Sequence, residues 1–181
     1  EGHWNRLSNK ARDGKPRLTL SQRLDFQHGL SGQFPLPGLR VVYPQSGTLL
    51  CAAVLDASQI VEHAAYWAPV RHREEADYLA AILNSETVRS RIAAMQSRGQ
   101  GGARHFDLLP FELRIPDHSG TDPLHQDLAA AGSHAEQVAA RVPLEEGAYF
   151  TAHRRAIREA LIADGVAAAI EGLVIRLLDR Q

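Results

Sequence analysis

Apolar positions along this chain repeat with a period of two in some stretches and of three to four in others, and the changes of period mark its elements. Leu39–Tyr43 is a β-branched and aromatic run that predicts a strand. Gln45-Ser46-Gly47 is a hairpin-sized turn. Thr48–Asp56 is nearly continuous in apolar residues, as expected of a strand buried on both faces. After a turn near Ala57-Ser58, Gln59–Trp67 places Val61, His63, Ala65 and Trp67 on one face, and Pro69 is expected to stop that strand. The helical period then takes over. Leu79, Ile82 and Leu83 share one face, and Val88, Ile92 and Met95 continue a stripe on a second helix. Between the two helices, Asn84 tolerates a left-handed helix end, Ser85 can cap the next helix, and Glu86 suits its positive first turn. Phe111, Leu113 and Ile115 alternate with Glu112 and Arg114, which predicts a short strand ended by Pro116.

Beyond a polar stretch at Asp117–Asp122, Asp122 can cap a helix with Pro123 in its first turn and Leu124 and Leu128 on its buried side. Gly132-Ser133 is expected to close that helix, with a second helical piece over His134–Val142 and a break at Pro143–Gly147. Thr151 is the expected cap of a helix bearing His153, Arg154, Arg155 and Arg158, ended by Asp164-Gly165. The last helix carries Ile170, Leu173, Val174, Leu177 and Leu178 on one stripe and packs either on this domain or on another part of a parent protein. These elements predict an α+β fold: a small mixed sheet with packed helices, then a helical C-terminal extension. The expected divisions are an irregular basic arm over 1–38, in which Leu18 and Leu20 allow one short strand, a core over 39–116 and a helical region over 117–181.

Composition adds bounds. A length of 181 residues with 44% hydrophobic content suits one domain, or one domain with a helical appendage. A net charge of −1 makes no global case for nucleic acid, so any basic surface must be local. One such region lies in the first 23 residues, where Arg6, Lys10, Arg12, Lys15, Arg17 and Arg23 face only Glu1 and Asp13. An arm of this kind is either a solvated tail or a segment that lies along a phosphate backbone. Cys51, alone in the chain, reads as a small buried hydrophobe. No apolar run approaches a membrane span and no signal-peptide pattern opens the chain, so no membrane partner and a cytoplasmic location are expected. The chain opens at Glu1-Gly2, which suggests a piece of a longer protein.

Candidate chemistry is concentrated in Ser97–His105, SRGQGGARH. Its glycines let backbone bend or come close to something large. Its arginines offer planar forks suited to phosphates and to the guanine edge. Nine histidines invite a metal site, but His118 and His125 lie across a proline-containing break and no H-E-x-x-H or C-x-x-C pattern occurs, so no metal is expected. No catalytic residues are expected either. The sequence lacks the Asn-Pro-Pro-aromatic motif of adenine methylation, and GQGGARH follows a helix, the wrong context for a nucleotide loop.

The order Tyr78-Leu79, Ile82–Ser85, Ser97–His105, Ile115-Pro116 and Asp122–His125 resembles the C-terminal target-recognition, or specificity, region of N6-adenine DNA methyltransferases of restriction-modification systems, of type IIG-like organisation. More loosely it is similar to the recognition domains of type I specificity subunits. The resemblance covers about residues 40–130. It implies a recognition core that reads double-stranded DNA through Ser97, Arg98, Gln100, Arg104 and His105 and is not catalytic by itself. It also implies an upstream methyltransferase domain of the same protein, which would hold S-adenosylmethionine, with no cofactor in this chain. The alternative is a protein–protein scaffold whose C-terminal helices dock a catalytic subunit.

Overall fold

The computed structural model describes residues 18–47, 49–61, 64–96 and 105–180, and they form an α+β fold. Leu39–Pro44 (β1) is the centre of a three-stranded sheet, flanked by Ala53–Asp56 (β2) and Ala65–Val70 (β3). Both pairings are antiparallel, so the sheet is not mixed. The apolar run over Thr48–Asp56 therefore yields a short edge strand instead of a doubly buried one. Leu50 enters the core ahead of that strand, and Cys51 is only half-buried. Pro69 does not stop β3 but lies within it, opposite Arg40. An edge strand tolerates proline because its outer side has no ladder bond to lose.

The pleat of β1 sends Val41 and Tyr43 toward the helices and Arg40 to the opposite face. There the fully buried Arg40 guanidinium donates to Gln33 Oε1 (3.3 Å) and to the carbonyls of Asp56 (3.1 Å) and Gln59, and lies 5.5 Å over the Trp67 ring. Gln33 in turn donates to the Val61 carbonyl and accepts from its N–H. Residues 25–38 are thus pinned beneath the sheet. Ahead of them, the strand expected from Leu18 and Leu20 is a short helix, Leu20–Leu24 (α1), started by a capping box from Thr19.

Arg73–Asn84 (α2) and Glu86–Met95 (α3) meet at Ser85, whose hydroxyl accepts from the Val88 N–H at 3.2 Å. Val88 and Ile92 are buried, whereas Met95 is exposed, so the stripe ends one turn early. Asn84 does not take the left-handed conformation. Its side-chain amide instead clamps Ala52, accepting from its N–H (3.1 Å) and donating to its carbonyl (2.8 Å). The strand expected at 111–115 is absent. Pro110 starts a single helical turn, Leu109–Glu112 (α4), and leaves Phe111 exposed.

Asp122 caps Pro123–Ala140 (α5), accepting from the Leu124 N–H at 2.8 Å. This helix runs unbroken through Gly132 and takes in most of the second piece expected over His134–Val142. The glycine does not stop it because its role is close approach: a Cβ there would lie 2.9 Å from the Asp77 carbonyl carbon and 3.2 Å from Ala81 Cβ, both on α2. Arg73 braces the same crossing, bonding Asp77 at 2.8 Å on its own helix and Glu136 across on α5. Phe150–Asp164 (α6) starts after Tyr149 with no side-chain cap, so Thr151 is not the cap expected. Gly165, at φ +90°, turns it into Val166–Leu178 (α7). The α7 stripe of Ile170, Val174, Leu177 and Leu178 is buried in this domain's own core with Leu124, Leu128, Ile82 and Val88. Among the described residues, no helix is long and apolar enough to cross a membrane.

Gly132→Ala should destabilise the fold by about 3 kcal/mol or more, because the new methyl meets backbone that cannot rotate away. Urea unfolding of the two proteins measures this, with the loss expected in the midpoint and an unchanged slope.

Candidate nucleic-acid interface

Ser97, Arg98, Gln100 and Arg104 lie outside the described residues; His105 is the candidate residue that the structure places. It sits at the far end of a clasp. The Gln96 side chain, just past α3, donates to the His105 carbonyl at 2.9 Å. His105 also forms an isolated antiparallel bridge with Ser46, where the chain leaves β1. The Gln45 carbonyl accepts from the N–H groups of both Phe106 (2.8 Å) and Asp107 (3.2 Å). Asp107 turns the chain at φ +41°, a conformation aspartate tolerates better than most residues. The Tyr43 hydroxyl donates to the Asp107 carbonyl at 2.8 Å, and burial pushes that phenol's pKa upward. Phe106 is buried beside this turn. The two ends of the arginine- and glycine-rich stretch are therefore fixed to each other and to the end of the central strand, while the His105 side chain is exposed.

Pattern reading misses Gln96, Tyr43 and Phe106. The signal for Phe106 is available, since phenylalanine is among the residue types most often buried.

Tyr78, Pro116, Asp122 and His125, which also belong to the run of motif residues, form a packed node. Tyr78, fully buried on α2, donates to the Pro116 carbonyl at 3.0 Å. Its ring lies 4.8 Å from that of His125 and 5.3 Å from that of His118. His125 Nδ1 accepts from the Ser119 N–H at 3.0 Å, which leaves Nε2 as the protonated nitrogen of the neutral ring, 3.7 Å from the helix-capping Asp122 carboxylate. Arg180, just past α7, bonds the same carboxylate at 2.9 Å. The Leu124 N–H, aided by the Arg180 guanidinium, holds the Asp122 pKa below the usual carboxylate range. This set of motif residues has architectural work, tying α2, the 115–119 segment and α5 together.

His118 borders this node with its Nε2 enclosed and without a hydrogen-bond partner among the described residues. Burial lowers its pKa, and the neighbouring His72 and His125 lower it further, against the opposing pull of Glu75 and Glu74. A cavity of about 230 Å³ opens next to it, walled by Val41, Tyr43, Leu79, Leu83 and Phe111 with Glu75 and His118 among its polar members. Among the described residues, no group of three or more His, Cys, Asp or Glu side chains could hold a metal.

No family model matches the chain, and no solved structure matches it. A curated relative, the nonribosomal peptide synthetase ungA of Aspergillus violaceofuscus (strain CBS 115571), is 33% identical over 131 residues, covering 65% of this chain. The chain spans about 1% of the length of that relative.

His118 binds a proton less readily when folded than in the unfolded chain, whose value is the ordinary 6.5. Its contribution to stability is therefore whole above that value and lost as the pH falls below it. The unfolding midpoint should drop between pH 7.5 and pH 5.5, and the drop should be smaller in His118→Gln, as thermal melts across that range can record.

Proposed function

We propose that this chain is a DNA sequence-recognition module of an N6-adenine DNA methyltransferase of a restriction-modification system, reading double-stranded DNA and not catalytic by itself. The observation that supports it most is the clasp. A stretch whose composition suits base edges and phosphates has its two ends fixed, through Gln96, His105 and Gln45, to a helix and a strand of a packed core. The ordered run of residues resembling methyltransferase recognition regions supplies the class of partner. Ser97, Arg98, Gln100, Arg104 and His105 are the reading residues, and S-adenosylmethionine belongs to an upstream domain of the parent protein. Isothermal calorimetry on the chain alone should accordingly show no S-adenosylmethionine binding.

The competing scaffold reading needs an apolar helix face free for a subunit. The α7 stripe that motivated it is occupied by this domain's own core, which favours the DNA reading.

The two arginines of the segment should behave differently. Arg104 adjoins the clasped His105, so Arg104→Ala should cost roughly 1–3 kcal/mol on a preferred duplex and far less on a scrambled one. Arg98 lies closer to the end of α3 and serves a phosphate, so Arg98→Ala should weaken both duplexes alike and reduce the salt slope by about one. The preferred duplex comes from selection on a random pool, followed by titrations at several salt concentrations. A double variant that binds both duplexes as the parent chain does would show that the segment reads nothing.

A further inference from the structure

Helices α3 and α6 bring arginines together on a surface outside the recognition segment. Arg89 on α3 and Arg158 on α6 share one carboxylate oxygen: Glu86 Oε2 lies 3.8 Å from Arg89 Nη1 and 3.7 Å from Arg158 Nη2. Arg154, one turn before Arg158, stacks its guanidinium 5.6 Å over the Phe150 ring. Arg89 is held in place, with Nε donating to the Leu50 carbonyl at 2.9 Å and Nη2 to Asn84 Oδ1 at 3.4 Å. Burial lowers its proton affinity, and the like charges of Arg158 and Arg154 reach it and lower it further.

The other carboxylate close by, Glu171 of α7, is engaged by the N–H groups of Glu86 (2.8 Å) and Thr87 (3.0 Å) and by the Thr87 hydroxyl. Arg89 and Arg158 thus share the Glu86 carboxylate, the charge of Arg154 also reaches Arg89, and Glu159 on the same helix lies 3.9 Å from Arg155. Such an excess on an exposed surface attracts polyanions.

We infer that Arg89, Arg154 and Arg158 form a grip for the phosphate backbone of duplex DNA, resting on the recognition reading proposed above. Arg89 is seven residues before Gln96, one foot of the clasp, which along a helix is about 10 Å. That offset is close to the ~12 Å width of the major groove, so contacts at Gln96 and at Arg89 suit one duplex. Guanidinium forks match phosphate oxygens two at a time, and Arg89 and Arg158 already converge on the Glu86 carboxylate, which an incoming phosphate would displace.

The test is fluorescence anisotropy of the 181-residue chain with a labelled random-sequence 20-bp duplex, over a series of salt concentrations. Arg154 and Arg158 are the residues to change, because α6 buries none of its side chains and Arg89 also holds Leu50. Each arginine on a phosphate contributes about 0.9 to the slope of log affinity against log salt, so Arg154→Gln with Arg158→Gln should flatten the slope by about 1.8. Arg158→Lys, which keeps the charge, should retain most of the slope. Arg71→Gln, an exposed change beside α2, should leave it unchanged. Circular dichroism should show the variants folded, and Arg154→Gln alone gives a second readout if the pair is unstable. An unchanged slope in folded variants overturns the grip while DNA binding stands, and assigns the surface to an acidic protein partner or to none. A parent chain that binds no duplex at any salt overturns the recognition reading and the grip together.

Discussion

The fold depends on how closely α2 and α5 approach each other. Sheet and C-terminal helices share no strand pairing, so what joins them is the α2–α5 crossing, where the Asp77 backbone lies in the space a side chain would fill at Gly132. On one side of that contact, Tyr78 reaches the Pro116 carbonyl and the His125 ring. On the other, Leu124 and Leu128 continue the core down to Val174 and Leu177 of α7. Close-packed interiors transmit displacement because they hold few voids to absorb it. A shift of α5 would therefore reach the 115–119 segment, α4 and the turn at Asp107.

Beneath the sheet a different physics operates. Arg40 is buried with carbonyls, a glutamine and an indole face as its partners, and its Nε makes no hydrogen bond among the described residues. Buried charge is costly, so these bonds offset the desolvation of the guanidinium more than they add net stability. The acceptors of that guanidinium come from Gln33 and from the carbonyls of Asp56 and Gln59. The N-terminal segment is thereby committed to the underside of the sheet and not to its edge.

How much of this was legible depended on whether a pattern had one physical cause. The stripes of α2 and α7 were legible because an apolar face at helical spacing must be buried, and Ser85 marked the junction because a capping hydroxyl has few other uses there. Gly132 misled because glycine serves both as a helix stop and as a point of close approach, and only the partner helix distinguishes the two. The alternation at Phe111–Ile115 misled in the same way, since the segment joins neither edge of the sheet and Pro110 starts a helical turn there. Arg40 was invisible, because its acceptors lie 7 to 19 positions away. For the candidate interface, composition indicated the arginines and glycines. The clasp could not be foreseen, because it rests on carbonyls of Gln45 and His105 that no side-chain pattern records.

The clasp also bears on how such a module could diversify. Gln96, His105 and Gln45 hold the ends of an eight-residue interval from outside it, through one side-chain and several backbone bonds. The interval's own sequence is thereby released from the duty of closing it. Lengthening a closed loop is also cheap, at roughly 0.6 kcal/mol for each doubling. Descendants of one ancestral scaffold could exchange or extend these residues while inheriting the same helices and sheet, acquiring a new surface without having to evolve a new domain.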